Sequence, residues 1–271
     1  MAEARLPPLL LVGCGKMGGA MLAGWLERGL TEAVVVEPHA PAAAPFAGRV
    51  PVVPNPAALP TGFRPAAVVL AIKPQEAPAT LPAFAPLAGP GTLFLSIMAG
   101  RNIAGMRAAL GKGAAVIRAM PNTPAAVRQG FTVACAGPGV SAAQRGLADS
   151  LLSAIGEVAW VGDEALIDPV TAVSGGGPAY VFLLAEVLEA AAIEQGLPPD
   201  LARRMARATV SGSGALLAAS AEDSAQLRKN VTSPKGTTER ALSVLMAPDA
   251  WPKLMSEAIA AATARSRELA G

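Results

Sequence analysis

The stretch LLLVGCGKMG at residues 9–18 decides the fold of this chain. Four apolar residues are followed by Gly13, Gly15 and Gly18 in G-x-G-x-x-G spacing, and the next residues have the apolar periodicity of a helix. In this pattern the first glycine allows a tight turn, the second lets the backbone approach a pyrophosphate, and the third packs the helix against the strand. Unpaired N–H groups at the helix N-terminus also favour an anion. The stretch therefore predicts a strand, a turn and a helix that together bind a dinucleotide.

An acidic residue follows the second predicted strand. Residues 33–36 (AVVV) form an apolar run, and Glu37 comes directly after it, nineteen positions beyond Gly18. A carboxylate at this place accepts hydrogen bonds from the ribose 2′-OH of NAD and repels the additional phosphate of NADP. The alternative is a solvated charge at the end of a strand. The cofactor is expected to be NADH or NADPH, and Glu37 favours NADH.

Further apolar runs predict a doubly wound sheet. They lie within residues 49–53, 66–74, 92–100, 114–124, 131–136 and 157–162. Apolar strands that alternate with helices are typical of a parallel sheet covered on both faces, and ligands bind beyond the carboxyl ends of such strands. We therefore predict a Rossmann-like α/β domain with a doubly wound, mainly parallel sheet over residues 1–162.

The pattern changes after Gly162. No strand-like run follows, and helical periodicity occupies most of residues 163–271. One helical segment contains SGSGALL (211–217), whose small residues allow another backbone to approach closely. We therefore predict that an all-α domain follows the dinucleotide-binding domain, with the boundary between residues 162 and 163.

Composition excludes several classes of protein. The 271 residues are 52% hydrophobic and 15% charged, which is not a disordered composition. A net charge of +2 without a Lys/Arg block predicts no nucleic-acid partner. Glu186 and Glu189 interrupt the best candidate for a membrane span, and the N-terminal residues do not resemble a signal peptide, so we expect a cytoplasmic protein. Cys14, Cys135 and His39 are too few for a Cys/His metal cluster.

A second chemical motif lies near the C-terminus, in VTSPKGTT at residues 231–238. Ser233, Thr237 and Thr238 surround a turn that leads into a helix with one apolar face. The N–H groups of a helix N-terminus, together with several hydroxyls, are suited to hold a small carboxylate. The alternative is that the hydroxyls only cap the helix. The local sequence leaves both interpretations open.

Six motifs occur in the order seen in pyrroline-5-carboxylate reductases, and the chain resembles that family over nearly its whole length. The motifs are GCGKMG (13–18), AIKP (71–74), SIMAG (96–100), RAMPNTP (118–124), SGGGPAY (174–180) and VTSPKGTT (231–238). The resemblance implies an NAD(P)H domain followed by a helical substrate-binding and dimerisation domain, in a homodimer or a larger homo-oligomer. It also implies reduction of 1-pyrroline-5-carboxylate to L-proline, the last step of proline biosynthesis.

The resemblance also assigns site residues by position. Thr238 is implied to be the catalytic residue, as the donor to the ring nitrogen of the substrate. The implied substrate-binding residues are Ser233, Gly236, Thr237, Thr238 and Asn122. The implied cofactor-binding residues are Gly13, Cys14, Gly15, Lys16, Met17, Gly18, Glu37, Asn55, Leu70, Lys73, Met98 and Ala99. No metal is expected.

Two positions depart from the family pattern. Gly176 stands where serine is common, and the missing hydroxyl could loosen the turn near the domain junction. Lys235 stands where glycine is common. If position 235 requires a positive φ, lysine is strained there. If it does not, the charge of the lysine could attract the substrate carboxylate.

Two other functions share some of these features. The β-hydroxyacid dehydrogenases share the two-domain plan. They resemble one another in placing a catalytic lysine in the first long helices of the second domain. Residues 178–219 contain no lysine, which favours an imine substrate. A non-catalytic dinucleotide-sensing protein would not need the hydroxyl-rich turn. A cyclic imine arrives protonated near neutral pH, so the lack of a candidate catalytic histidine agrees with a reductase.

Overall fold

The computed structural model describes residues 5–270. The strands are β1 (Leu9–Val12), β2 (Ala33–Val36), β3 (Val52–Val53), β4 (Ala67–Leu70), β5 (Leu93–Ser96), β6 (Ala115–Met120), β7 (Gly130–Ala136) and β8 (Gly156–Val161). The α-helices are α1 (Lys16–Glu27), α2 (Ala40–Ala43), α3 (Ala77–Thr80), α4 (Ile103–Leu110), α5 (Ala142–Leu152), α6 (Ile167–Val170), α7 (Gly177–Glu194), α8 (Pro199–Ala219), α9 (Ser224–Asn230), α10 (Thr237–Leu245) and α11 (Trp251–Ala270). Short 3-10 turns join several of these elements, and one π-helical turn, Thr171–Gly175, precedes α7.

The chain forms two compact units. The first unit consists of the residues up to Gly175 together with those from Ala262 onward, and the helical unit is Gly176–Ala261. All eight strands of the described residues lie in the first unit, whereas the helical unit contains α7 to α10 and the beginning of α11.

The strands form one sheet in the order β3-β2-β1-β4-β5-β6-β7-β8. Strands β1 to β6 are parallel, whereas β7 is antiparallel to β6 and β8 is parallel to β7. The order of the strands reverses between β1 and β4, and in open α/β sheets such a reversal creates a crevice at the carboxyl ends of the strands. The predicted Rossmann-like, mainly parallel sheet is confirmed, and the predicted strand at residues 49–53 is reduced to β3.

Alternate residues of the central strands fill two apolar layers, one on each face of the sheet. Leu9 and Leu11 of β1 lie in the layer that contains Trp25 of α1, whereas Leu10 lies in the opposite layer with Phe84. All five side chains are almost fully buried. Burial of a side chain of this size contributes about 1.5 to 3 kcal/mol. The strands are therefore continuous apolar runs in the sequence because both of their faces are covered.

The two units divide later than the sequence predicts. Helix α6 belongs to the first unit because Ile167 lies in its apolar core and Asp168 is buried there. Asp168 accepts a hydrogen bond from Ser266 Oγ of α11 at 2.8 Å. The division after Gly175 therefore differs from the predicted boundary at 162/163. These contacts join residues far apart in the chain, so no local pattern reveals them.

The helical unit exposes a large apolar surface. Helices α7 and α8 pack together, and Arg203 of α8 donates to Glu189 of α7 at 3.1 Å. No residue of α7 is buried within the single chain. The exposed apolar side chains of these two helices are Val181, Phe182, Leu183, Val187, Leu188, Ile193, Leu201, Met205, Leu216 and Leu217. So many exposed apolar side chains on two packed helices indicate an interface.

One helical stretch among the described residues, Glu164–Glu194, is long and apolar enough to cross a membrane, with a mean hydropathy of 1.4 over 18 residues. The expectation that Glu186 and Glu189 keep this segment short of a span is therefore not supported by hydropathy. A helix of a soluble protein can meet the same criterion of length and composition.

Candidate active site

The glycine turn at residues 13–18 leaves open space at one position only. Gly13 has φ +89°, and a Cβ atom there would lie 2.6 Å from the carbonyl oxygen of Ala71. A Cβ atom at Gly18 would clash with the carbonyl oxygen of Gly13. At Gly15 a Cβ atom would meet no atom within 4 Å. Gly13 and Gly18 are therefore required by the packing of the turn, and Gly15 borders free space.

The N-terminus of α1 faces that space without a cap. Gly15 is its N-cap residue, and no side chain of the described residues caps the helix. The first helical bond runs from Gly19 N–H to Gly15 O at 2.8 Å, so the N–H groups of Lys16, Met17 and Gly18 have no intrahelical acceptor. Open space beside unpaired N–H groups fits the pyrophosphate of a dinucleotide. The predicted residues at the turn are therefore suited to the predicted cofactor.

The carboxylate of Glu37 lies at the same turn. Its Oε2 accepts the N–H of Cys14 at 2.7 Å, and its Oε1 accepts the N–H of His39 at 2.8 Å. Each carboxylate oxygen can accept more than one hydrogen bond. Glu37 is half-buried and can still accept from ribose hydroxyls. Its predicted contact with the ribose stays a prediction.

The thiol of Cys14 is inert although it lies in the glycine turn. Burial, with a smaller contribution from the charge of Glu37, raises the pKa of Cys14 to about 11. The thiol is therefore protonated at neutral pH and is a poor nucleophile. Because the N–H of Cys14 already donates to Glu37, the predicted cofactor contact of Cys14 would have to come from its other atoms.

The remaining predicted cofactor residues follow the carboxyl ends of neighbouring strands. Val12 pairs with both Val36 and Leu70, and Leu70 pairs with Ser96, so the ends of four strands are level. The residues placed at this edge are Asn55 after β3, Leu70 and Lys73 at and after β4, and Met98 and Ala99 after β5. Asn55 and Lys73 are exposed, whereas Leu70 and Met98 are buried. The structure thus brings these residues to the edge where parallel sheets bind ligands.

Asn122 lies in the loop after β6, and both ends of its amide are bonded. Its Oδ1 accepts the N–H of Phe131 at 2.9 Å, and its Nδ2 donates to Ser174 Oγ at 3.2 Å. One amide hydrogen remains for another acceptor. Asn122 therefore fastens this loop to β7 and to the π-helical turn, and its predicted contact with substrate stays a prediction.

The hydroxyl-rich turn of the helical unit does not cap its helix. Gly236 is the N-cap residue of α10, and no side chain of the described residues caps that helix. The hydroxyls of Ser233, Thr237 and Thr238 are exposed and have no hydrogen-bond partner within residues 5–270. A Cβ atom at Gly236 would lie 2.9 Å from the carbonyl oxygen of Ser233, so the turn is tight. The interpretation that these hydroxyls serve only as caps is therefore wrong.

The two departures from the family pattern have different consequences. Lys235 has φ +61°, in the left-handed region, so the first alternative applies and lysine is strained there. Its N–H donates to Glu239 Oε2 at 2.7 Å. Gly176 has φ −81° and ψ −23°, which any residue adopts. Nothing in its backbone conformation requires glycine.

Arg118, Glu164 and Asp168 form a buried charge cluster that the sequence did not reveal, although Arg118 begins the RAMPNTP motif. The Arg118 side chain is 3% exposed, and its guanidinium lies 3.1 Å from Glu164 and 3.7 Å from Asp168. Glu164 also accepts the N–H of Ile103 at 2.8 Å. The cluster ties β6 to the start of α4, to α6 and, through Asp168, to α11. The only available signal was an arginine within an otherwise apolar strand.

Comparisons with known proteins cover both units. Residues 164–269 match a family model described as pyrroline-5-carboxylate reductase dimerisation, and residues 9–100 match one described as NADP oxidoreductase, coenzyme F420-dependent. The pyrroline-5-carboxylate reductase of Pseudomonas aeruginosa is 40% identical over 268 residues, which cover 97% of this chain and 97% of that protein. The exposed apolar surface of α7 and α8 lies within the region that matches the dimerisation model.

Solved structures similar to this chain also include pyrroline-5-carboxylate reductases. A pyrroline-5-carboxylate reductase from Coxiella burnetii has a TM-score of 0.90 at 31% identity, and the match covers 98% of this chain and 100% of that one. The Plasmodium falciparum pyrroline carboxylate reductase, solved with NADP bound, has a TM-score of 0.83 at 25% identity and 98% coverage of both chains.

Proposed function

Because the chain belongs to the pyrroline-5-carboxylate reductase family, we infer that it reduces 1-pyrroline-5-carboxylate to L-proline with NADH or NADPH, the last step of proline biosynthesis, as a homo-oligomer. The observation that carries this inference is 40% identity over 97% of the chain, which includes both the glycine turn and the hydroxyl-rich turn. The function of a β-hydroxyacid dehydrogenase or of a dinucleotide sensor accounts for the glycine turn. Neither accounts for three exposed hydroxyls that do not cap a helix.

Catalysis of this reaction depends on positioning the substrate more than on proton transfer. The bound dihydronicotinamide supplies the hydride that adds to the imine carbon. Because the substrate is already protonated on nitrogen, hydride addition gives the neutral amine directly, and no side chain has to deliver a proton. Holding a reactant in the reactive geometry can supply much of a rate acceleration. The residues of the hydroxyl-rich turn are therefore sufficient without a histidine.

Each hydroxyl has a role in this scheme. Ser233 and Thr237, with the first N–H groups of α10, hold the substrate carboxylate at the positive end of the helix dipole. Thr238 contacts the ring nitrogen. A hydroxyl both accepts and donates, so it can accept from the protonated imine and donate to the lone pair that forms on the amine. Thr238 thereby keeps a hydrogen bond with the ring nitrogen in both the substrate and the product.

The reductase activity is tested by incubating the purified protein with NADH and 1-pyrroline-5-carboxylate. Oxidised cofactor and proline are expected in equal amounts, and a protein that binds the cofactor but forms no proline would contradict the proposal. In the Thr238→Ala variant we expect turnover to fall tenfold or more, while Thr238→Ser retains most of it and binding of NADH is unchanged in both. Equal turnover in Thr238→Ala and the wild type would remove Thr238 from the mechanism.

The preference for NADH rests on the charge of Glu37. A carboxylate beside the ribose repels the 2′-phosphate of NADPH and accepts from the 2′-OH of NADH. We expect kcat/KM to be higher with NADH than with NADPH when the two are compared in one assay. A higher value with NADPH would show that this interpretation is wrong. A cytoplasmic location is proposed with it, since both cofactors are intracellular metabolites.

A further inference from the structure

Glu37 joins three segments of backbone. Its own N–H donates to Val53 O at 2.9 Å, which extends the pairing of β2 with β3. Its carboxylate accepts the N–H of Cys14 at 2.7 Å and the N–H of His39 at 2.8 Å. A side chain that contacted only a ribose would leave both N–H groups to find other acceptors.

The N–H of Cys14 depends on this carboxylate. Cys14 is 2% exposed and lies between strand β1 and helix α1. The N–H of Gly13 donates to Val36 O at 2.9 Å, and the first helical bond begins only at Gly19. Neither the sheet nor the helix therefore supplies an acceptor for Cys14, and Glu37 is the one acceptor it has among the described residues. A buried N–H without an acceptor is strongly unfavourable.

The two hydrogen bonds require a carboxylate. Two N–H groups donate to two different oxygens, whereas the amide of a glutamine has one acceptor oxygen and an NH₂ group that cannot accept. An aspartate keeps the charge but is shorter by one methylene. The negative charge is tolerated here because it lies close to the N-terminus of α1, where the helix dipole favours an anion.

We propose that Glu37 is a positioning residue for the glycine turn, whether or not it also contacts the ribose. By holding the N–H of Cys14, it fixes the chain between β1 and α1 and so the direction of the free N–H groups of Lys16 and Met17. The proposal rests on the dinucleotide site proposed above, but not on the reaction carried out there. It follows that loss of the carboxylate weakens binding of every dinucleotide, including one that offers Glu37 nothing to bind.

The test uses a cofactor analogue that removes the ribose contact. The probe is NADH whose adenosine ribose lacks both hydroxyls, titrated into the protein without substrate and followed by dihydronicotinamide fluorescence. The proteins are the wild type, Glu37→Ala, which leaves no acceptor, Glu37→Asp and the control Glu32→Gln, which changes an exposed glutamate just before β2. Amide hydrogen exchange of Cys14 is measured in the same four proteins without cofactor.

Positioning by Glu37 predicts that both Glu37 variants bind the analogue about tenfold more weakly, as expected for loss of one hydrogen bond to a charged group. The amide of Cys14 then exchanges faster in the same variants, while Glu32→Gln matches the wild type. Unchanged affinity for the analogue would overturn the proposal. Weaker binding with unchanged exchange at Cys14 would also overturn it, because the charge of Glu37 and not the turn would then be responsible. All of these outcomes are read without any turnover of substrate, so they stand apart from a failure of the reductase assay.

Discussion

Lys235 and Arg128 both have a left-handed backbone, with φ +61° and +62°, and are the non-glycine residues with positive φ among residues 5–270. The guanidinium of Arg128 donates to Glu27 at 2.7 Å and to Ala20 O at 3.1 Å. The ammonium of Lys235 has no hydrogen bond or ion pair within the described part of the chain. The strain at Arg128 is therefore offset by side-chain contacts, whereas Lys235 has only the bond from its backbone N–H to Glu239, which a glycine would keep.

Lys235→Gly is accordingly expected to raise the free energy of unfolding by about 1 kcal/mol, because glycine adopts a positive φ without the steric cost that a Cβ atom brings. Chemical denaturation measures the difference. Arg128→Gly is the matched control and should lower stability, since it also removes the contacts with Glu27 and Ala20. A Lys235→Gly variant less stable than the wild type would show that the lysine side chain has a stabilising contact.

The thiol of Cys14 makes stability depend on alkaline pH. Its pKa rises from 9.0 to about 11 on folding, first through burial and second through Glu37. Because the folded pKa is the higher one, the stabilisation is complete below about pH 9 and is lost as the pH rises through about 11. We expect the stability difference between the wild type and Cys14→Ala to fall by about 2 kcal/mol over this range. A difference that is constant over this range would contradict the burial of a protonated thiol.

At the scale of single elements, Arg118 and Asp168 of the buried charge cluster, together with Ser266, fasten α6 and the end of α11 to the sheet. Asp168 accepts from Ser266 at 2.8 Å and lies 3.7 Å from Arg118. Asp168→Ala is expected to lower the free energy of unfolding by about 3 kcal/mol, because it leaves a buried guanidinium with one partner fewer. The exposed ion pair of Arg265 with Glu268 is the control, and Glu268→Ala should change stability by less than about 0.5 kcal/mol. Equal effects of the two variants would show that the cluster is not coupled to folding.

Elements with a strong local pattern of apolar residues were predictable. The run at residues 33–36 is β2, and the helical periodicity predicted directly after the glycine pattern corresponds to α1. The boundary at Gly175 was not predictable, because it depends on contacts of Ile167 and Asp168 with distant residues.

The residue types of the candidate site could be read from the sequence, but their connections could not. The glycine spacing and VTSPKGTT identify a dinucleotide cradle and a hydroxyl-rich turn. The bond from Cys14 to Glu37 joins residues twenty-three positions apart, so only the structure shows it. The positive φ of Lys235 belongs to the local turn that the bond from Gly236 N–H to Ser233 O closes, and the glycine that is common at this position was its one signal.

At the scale of the whole molecule, the apolar surface of α7 and α8 is the feature that most needs a partner. Phe182 is 67% exposed on α7, in the region that matches the dimerisation model. Phe182→Asp would place an unpaired charge in an apolar interface and should raise the dissociation constant of the homo-oligomer by about 100-fold or more. Light scattering after size-exclusion chromatography measures this. Glu194→Gln, at the exposed end of α7, is expected to leave the oligomer unchanged. An intact oligomer in Phe182→Asp would place the interface elsewhere.

A reductase of this family must transfer a hydride from the cofactor to the imine carbon of 1-pyrroline-5-carboxylate. The most direct measurement supplies NADH or NADPH that carries deuterium at both C4 positions of the nicotinamide, and determines the mass of the proline formed. Direct transfer predicts one deuterium in each proline, on the former imine carbon, and one cofactor oxidised for each proline. Oxidation of the cofactor without labelled proline would contradict it.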